Sequence, residues 1–398
     1  MKVLNISQSF EIKGGSDIYF HGLTELLRQH GIEVEEFAST NDDSPFYPKS
    51  IHFEKPAAEE FLKYFYNNEA KKKLDKLIST RNDFNLAHLH IYYGKLSASI
   101  LQPLKKWGIP IIQTLHEYKL VCPTYKLYDG NSLCLSCKNN TFYHSILKKC
   151  NRNSVLRSSI SALEAYISLW AGSQKYIDHF ISVSDFQKDR ICEMGMDKNR
   201  ITTIHNFISL DNMPGNYIQG EYVLYFGRIE KVKGIEVLLN AFKKLPPGIK
   251  LVIAGDGEFR NEMLTIIDYS SDLKNKVSWA GFKKGAQLSE LINNARFVVV
   301  PSIWYETFGL SVVEAMAHFK PVIGSDIGGI SEIIMNGING YLVPPNNQED
   351  LADKILFLWK NISLTKEMGH HARNHVRENF SPQVHFDKVT SLYNKFLA

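Results

Sequence analysis

Residues Ala295–Ala317 read ARFVVVPSIWYETFGLSVVEAMA, and this stretch holds a strand, a loop and a helix in succession. The run Phe297–Val300 is apolar without alternation and stops at a proline, as expected of a strand buried on both faces of a parallel sheet. A helix is expected from near Leu310, just after Gly309. Its first amides have no partner within the helix and its N-terminal end is electropositive, so it is a natural seat for a pyrophosphate. Glu314, within the first turns, is unsuited to phosphate because like charges repel, but it can accept hydrogen bonds from vicinal hydroxyls such as those of a ribose. Glu306, in the loop, would reach past the phosphates to the next hydroxyl-rich group. Taken alone, Glu306 is equally readable as a capping or salt-bridging carboxylate.

Outward from this stretch the same alternation repeats. YVLYFGRI from Tyr222, KLVIAGDGE from Lys250, FKPVIGSD from Phe319 and NGYLVPP from Asn339 read as strands, and GIEVLLNAFKKLP as a helix. The first half carries a second series: KVLNIS, EVEEFAS, LAHLHIYY, IPIIQTLH and HFISVS as strands, with the helix DIYFHGLTELLRQHG ending at Gly31. Strands alternating with helices indicate parallel sheets covered by helices. With 398 residues, two domains are expected. These are residues 1–210, carrying an insert at 120–152, and residues 221–380, with the last helix, 381–398, returning to the first domain. The Asn- and Gly-rich NFISLDNMPGNYIQGE reads as the linker. The fold class is α/β, with two Rossmann-like domains facing across a cleft, where strand C-termini place ligands.

Composition narrows the function. The net charge is +4, with 26 Lys+Arg against 22 Asp+Glu in residues 1–210 and 20 of each in residues 211–398. That excess is too small for a nucleic-acid footprint. MKVLNISQSF lacks the apolar core of a signal peptide, and no apolar run is long enough to span a bilayer. A cytoplasmic chain is expected, either soluble or resting on the inner face of the membrane.

Three further stretches fall at strand ends. GRIEKVKG carries Arg228 and Lys233, a forked and a point cation that could clamp a pyrophosphate or form a solvated basic turn. AGDGE, with Gly257 and Glu258, offers a glycine where backbone can approach a ligand closely, or an ordinary turn. KGGS, Lys13–Ser16, is no Walker loop and no complete dinucleotide fingerprint. His116 ends the strand IPIIQTLH and could bond a sugar hydroxyl or a backbone group. His88 and His90 are read as structural.

These motifs together resemble the retaining GT-B glycosyltransferases of group 1, family 4. ETFGLSVVE matches the family's two glutamates separated by seven residues, GRIEKVKG its phosphate-binding motif, and EAMAHFKPVIGSDIGGISEII its following stretch. Phe319 departs from the pattern, standing where the family commonly has glycine. The resemblance implies a transferase moving a sugar from a nucleotide-diphosphate sugar, with UDP ahead of GDP, to a glycan or lipid-linked acceptor in polysaccharide or glycoconjugate synthesis. It implies that Arg228 and Lys233 bind the diphosphate and that Glu306 holds the sugar. Phe308, Gly309 and Leu310 supply backbone, Glu314 takes the ribose, Gly14 and Gly15 meet the phosphate, and His116 lies near the sugar. No catalytic metal is implied. Two rival readings are a non-catalytic nucleotide-sugar-binding subunit and a GT-B epimerase, though epimerases lack the two-glutamate arrangement.

Cys122, Cys134, Cys137 and Cys150 form a C-x11-C-x2-C-x12-C set. In a cytoplasmic chain this spacing suggests a structural zinc site more than disulfides, with plain reduced thiols as the alternative. Cys192 is read as packing. From Gly130 to Leu163 there are five Lys/Arg and no acid, with Phe142, Tyr143 and Ile146 interleaved. This segment and FLKYFYNNEAKKKLDKL could press on anionic lipid headgroups or be solvated helices.

Overall fold

The computed structural model describes residues 1–12, 14–50, 58–211, 213 and 215–397. Lys13 of the KGGS loop, residues 51–57, Asn212 and Pro214 of the linker, and Ala398 lie outside the described residues. The chain forms two compact units, Met1–His205 with His385–Ala398, and Asn206–Val384.

The first unit is a six-stranded parallel sheet in the order β2-β1-β3-β4-β5-β6. Its strands are β1 (Lys2–Ser9), β2 (Glu33–Ser39), β3 (Leu86–Leu89), β4 (Ile111–Leu115), β5 (His179–Ser182) and β6 (Ile201–Thr203). Val3 sits level with Val34 on one side and Leu86 on the other. Central strands β3 and β4 are buried along their whole length, and their polar side chains are hydrogen-bonded inside, His88 with Thr114 and Gln113 to the Tyr93 hydroxyl.

The second sheet runs β12-β11-β10-β7-β8-β9, also parallel throughout. It consists of β7 (Tyr222–Phe226), β8 (Leu251–Ala254), β9 (Val277–Gly281), β10 (Ala295–Val300), β11 (Val322–Ser325) and β12 (Gly340–Val343). Its core joins Val223, Ile253 and Val299 to Leu238 and Phe242 of the helix Ile235–Lys244 and to Leu358 of the helix Gln348–Lys360. The chain builds β7 to β9 outward in one direction, then crosses back to place β10 on the other side of β7. Strand order therefore reverses between β7 and β10, and the loops that follow these two strands flank the crevice where doubly wound sheets take ligands.

Two strands, β6 and β9, were not expected from sequence. Both are edges: β6 has three residues, and β9 exposes Ser278 and Trp279. Neither carries a long apolar run. The stretch LAHLHIYY is strand only to Leu89. His90 still donates its N–H to the Ile6 carbonyl at 2.8 Å, after which the chain leaves the sheet. The insert has little regular structure, and seven of the ten left-handed non-glycine residues of the described chain lie at 125–153. Phe319 also has a positive φ, +59°. Glycine is the residue usually found in such a helix-terminating conformation. Here the buried ring, with the Arg373 guanidinium 5.3 Å from its centre, holds the strained backbone in place. Among the described residues, no helix is long and apolar enough to cross a membrane.

Candidate active site

The loops after β7 and β10 meet through one ion pair. Lys233 Nζ donates to Glu306 Oε1 at 2.6 Å, and the Ser302 hydroxyl donates to the same oxygen at 2.6 Å. The Trp304 ring lies under the Lys233 ammonium at 5.3 Å. Burial by itself would raise the Glu306 carboxyl, but the Lys233 charge and the hydrogen bonds from Lys233 and Ser302 bring it below the usual range. Glu306 is thus a fixed, ionised acceptor, with only 8% of its surface exposed. Sequence reasoning identified both Lys233 and Glu306 without seeing that they are partners. It missed Ser302 and Trp304, which no local motif signals.

The Glu306 loop is cradled from below. A Cβ at Gly328, where φ is +66°, would lie 2.5 Å from the Glu306 carbonyl, and one at Gly329 would lie 2.7 Å from the Phe308 Cα. The Gly329 N–H donates to the Glu306 carbonyl at 2.9 Å. The glycine pair therefore permits direct backbone-on-backbone packing beneath the loop.

The helix Leu310–Ala317 starts at Gly309, where φ is +119°. Its first internal bond is from the Val312 N–H, so the Leu310 and Ser311 amides precede the ladder and point from the positive end of the helix. Phe308 contributes backbone only, since its ring is buried against Phe380 at 5.6 Å. Glu314 sits one turn into the helix, with no protein partner for its carboxylate among the described residues. Burial pushes its carboxyl up to about 7. The two glutamates are therefore driven apart, Glu306 down and Glu314 up, by the presence and absence of a cation.

The other expected donor contacts are less tightly built. Arg228 is 56% exposed and pairs with Glu230 at 2.6 Å. Glu258 is exposed. Gly257 was expected to bring backbone close to a ligand. In the structure its N–H donates to the Asp256 carboxylate at 2.8 Å, and a Cβ there would meet the Ile229 carbonyl at 2.3 Å. Its lack of a side chain thus serves loop packing.

In the first unit, Gly14 is exposed and precedes the helix Gly15–Gln29, donating its N–H to the Asp17 carboxylate at 3.0 Å. His116 follows β4 and is joined to a buried polar chain. His116 Nε2 lies 3.1 Å from His90 Nδ1, and His90 Nε2 lies 2.7 Å from Asn5 Oδ1. Asn5 donates its amide to Thr24 Oγ1 and the Phe20 carbonyl, so its oxygen is the acceptor facing His90. His90 then carries its proton on Nε2 and accepts on Nδ1, which makes His116 Nε2 the donor. Burial lowers His116 to about 3 and His90 well below its usual value, so both are neutral at ordinary pH. The network hence fixes His116 with an unprotonated Nδ1, a hydrogen-bond acceptor. His88 is held on either side by Thr114 and by Tyr393, whose helix Pro382–Asn394 enters this unit from His385 onward.

In the insert, Cys122 and Cys137 are buried and Cys134 and Cys150 half-buried, with no disulfide. Burial pushes the Cys137 thiol to about 12 and Cys150 to about 11, with neighbouring cysteines adding to both. The Lys148 ammonium lies 3.4 Å from Cys134 Sγ. Among the described residues, no three of the four sulfurs come within 4.8 Å of one another.

Comparison with known families now bears on this geometry. The family described as Glycosyltransferase Family 4 matches residues 13–212, half of the chain, and Glycosyl transferases group 1 matches residues 213–375. The chain belongs to the group 1, family 4 glycosyltransferases. This glycosyltransferase is 27% identical over 395 residues to an uncharacterized glycosyltransferase of Methanocaldococcus jannaschii, covering 96% of this chain and 95% of the relative. It is 29% identical over 392 residues to the N-acetyl-alpha-D-glucosaminyl L-malate synthase of Bacillus anthracis, covering 96% and 93%. The Anabaena protein HepE, solved in complex with UDP, superposes with a TM-score of 0.68 at 18% identity over 99% of this chain and 100% of HepE. That likeness establishes the GT-B class for the two Rossmann-like units.

Proposed function

We propose that this glycosyltransferase moves a sugar from a nucleotide-diphosphate sugar, UDP-linked in preference to GDP-linked, to a glycan or lipid-linked acceptor with retention of anomeric configuration. The observation that carries the reading is the Lys233–Glu306 pair beside the start of the helix Leu310–Ala317, with Glu314 one turn further in. It supplies, in order, a cation, an ionised acceptor, free amides and a second carboxyl. In this reading Arg228, Lys233 and the Leu310 amide hold the diphosphate. Glu306 accepts from sugar hydroxyls and Glu314 from the ribose diol. Gly14, Gly15 and His116 keep the roles the family resemblance gives them.

The chemistry follows from charge. As the bond between anomeric carbon and phosphate oxygen breaks, negative charge grows on the diphosphate, where Lys233 and the helix amides stabilise it without a metal. The acceptor oxygen attacks the face the diphosphate leaves, and the leaving phosphate oxygen takes the hydroxyl proton. The crystallisation of HepE with UDP supports UDP as the first donor to test, and the glucosaminyl product named for the Bacillus relative supports a hexosyl group. A structural zinc ion on Cys122, Cys134, Cys137 and Cys150 is a separate part of the proposal, and requires the sulfurs to close from their present spacing.

The test is turnover with a panel of UDP- and GDP-sugars, followed by NMR of the product's anomeric proton. Release of UDP with a product of the donor's configuration is expected. An inverted product would overturn retention, and no nucleotide binding in thermal shift would overturn the donor site.

A further inference from the structure

The helix Val155–Trp170 carries a stripe that the donor chemistry does not use. Leu156, Ile160, Leu163, Ile167 and Trp170 recur every three to four residues on one face over ~21 Å. Leu156 is 71% exposed and Trp170 75%, Leu163 is exposed, and the two isoleucines are half-buried. The short helix His144–Leu147 lies alongside: the Tyr143 N–H donates to the Tyr166 hydroxyl at 3.2 Å, and Tyr166 stacks on Trp170 at 6.0 Å. This adds exposed Tyr143 and Leu147 to the face. Of the 23 large hydrophobics exposed among the described residues, eight fall within 125–170. Apolar exposure on this scale, gathered on neighbouring elements, marks a docking surface.

From Gly130 to Leu163 the charges are of one sign. Lys149, Arg152 and Arg157 are exposed beside the stripe. Asp129 is engaged by Lys148 at 3.0 Å and buried Glu164 by Lys119 at 2.5 Å. We infer that this face docks on an anionic lipid bilayer, the helix lying in the plane of the interface. Trp170 and Tyr143 suit the headgroup boundary, having apolar bodies with polar tips, and the cations can extend to phosphates while their stems stay apolar. A second copy of this chain fits the face less well. A two-fold dimer would bring two patches of like charge together, each contributing Lys149, Arg152 and Arg157. The positions flanking the stripe, Ser159, Tyr166 and Arg157, also lack the paired opposite charges that specify a helix dimer. Such docking would carry the first unit to membrane-held acceptors, but it stands on surface residues alone and does not depend on the donor assignment.

The experiment is vesicle co-sedimentation of the full chain. Vesicles of phosphatidylcholine with phosphatidylglycerol are compared with phosphatidylcholine alone, at low and high salt. The wild-type protein should bind the anionic vesicles, less at high salt, with a blue shift in tryptophan emission that Trp170→Phe removes. Lys149→Gln/Arg152→Gln/Arg157→Gln should lower partitioning about a hundredfold, at about fivefold per cation. Leu156→Gln/Leu163→Gln/Trp170→Gln should abolish it. All six positions are exposed, so both variants should keep wild-type circular dichroism and nucleotide-induced thermal shift, separating a lost surface from a lost fold or donor site. Failure of the wild-type protein to bind anionic vesicles, or equal binding by all three proteins, would overturn the proposal. Dimerisation by light scattering that Leu163→Gln abolishes would reassign the face to a second copy.

Discussion

Replacing Glu314 by glutamine separates the stability of the protein from its binding function. The Glu314 carboxyl is driven from 4.5 to about 7 by burial alone. At about 1.4 kcal/mol per pH unit, keeping it ionised in the folded state costs about 3 kcal/mol. The sign is that of a carboxyl raised by folding. The stability is fully present below 4.5, where the group is protonated in both states, and is lost as pH rises through about 7. Glu314→Gln removes the ionisation and with it the loss. The variant should therefore match the wild-type protein at about pH 4.5 and exceed it at about pH 8 by up to about 3 kcal/mol. For a domain the size of the second unit this is an upper bound of roughly 6–12 °C in Tm. Thermal unfolding of both proteins at the two pH values measures the difference directly. Saturating UDP should narrow the pH 8 gap by about 1.4 kcal/mol, because glutamine offers the ribose diol a weaker acceptor, with affinity falling roughly tenfold. A stability difference that is the same at both pH values would refute the buried-carboxylate argument. A UDP response unchanged by the substitution would refute the ribose assignment while leaving that argument intact.

Lys233→Ala leaves the buried Glu306 carboxylate without its cation, a loss that typically costs about 3–5 kcal/mol. Because Lys233 holds the Glu306 carboxyl down, the stability it confers is present above the usual carboxylate range and lost as pH falls through the depressed value. The variant should be destabilised at neutral pH, less so in acid, and blind to UDP in thermal shift. Gly329→Ala sets a Cβ 2.7 Å from the Phe308 Cα and must lift the Glu306 loop. Its turnover should fall at least tenfold with far less loss of thermal stability, and normal kcat would show that the loop tolerates displacement. Anaerobically purified protein should carry about one zinc per chain, removed by chelator with a fall in Tm and held less tightly in Cys134→Ser. Metal analysis that finds none would exclude the site.

Much of the fold was legible because it is written in short-range pattern. Unbroken apolar runs such as Phe297–Val300 occur where a strand is covered on both faces, and glycines fall where loops turn. Strands β6 and β9 escaped notice because β6 has only three residues and β9 exposes Ser278 and Trp279, so neither carries a long apolar run. Candidate residues Lys233, Glu306 and Glu314 were suggested by spacing and chemical type and singled out by the family resemblance, since a helix start and the loop before it are local objects. Their opposed electrostatics were not legible. Lys233 and Glu306 are 73 positions apart and meet only because the sheet reverses its order between β7 and β10. Glu314 has neither such a cation nor a hydroxyl like that of Ser302 beside it. Likewise the proton position on His116 depends on His90 and Asn5, brought together by the pairing of β1, β3 and β4. The sequence alone determined which groups are present, on which kind of element, and at which strand ends. Tertiary structure alone decided which are charged, which are partnered and which way their protons point, because those properties depend on burial and on neighbours distant along the chain.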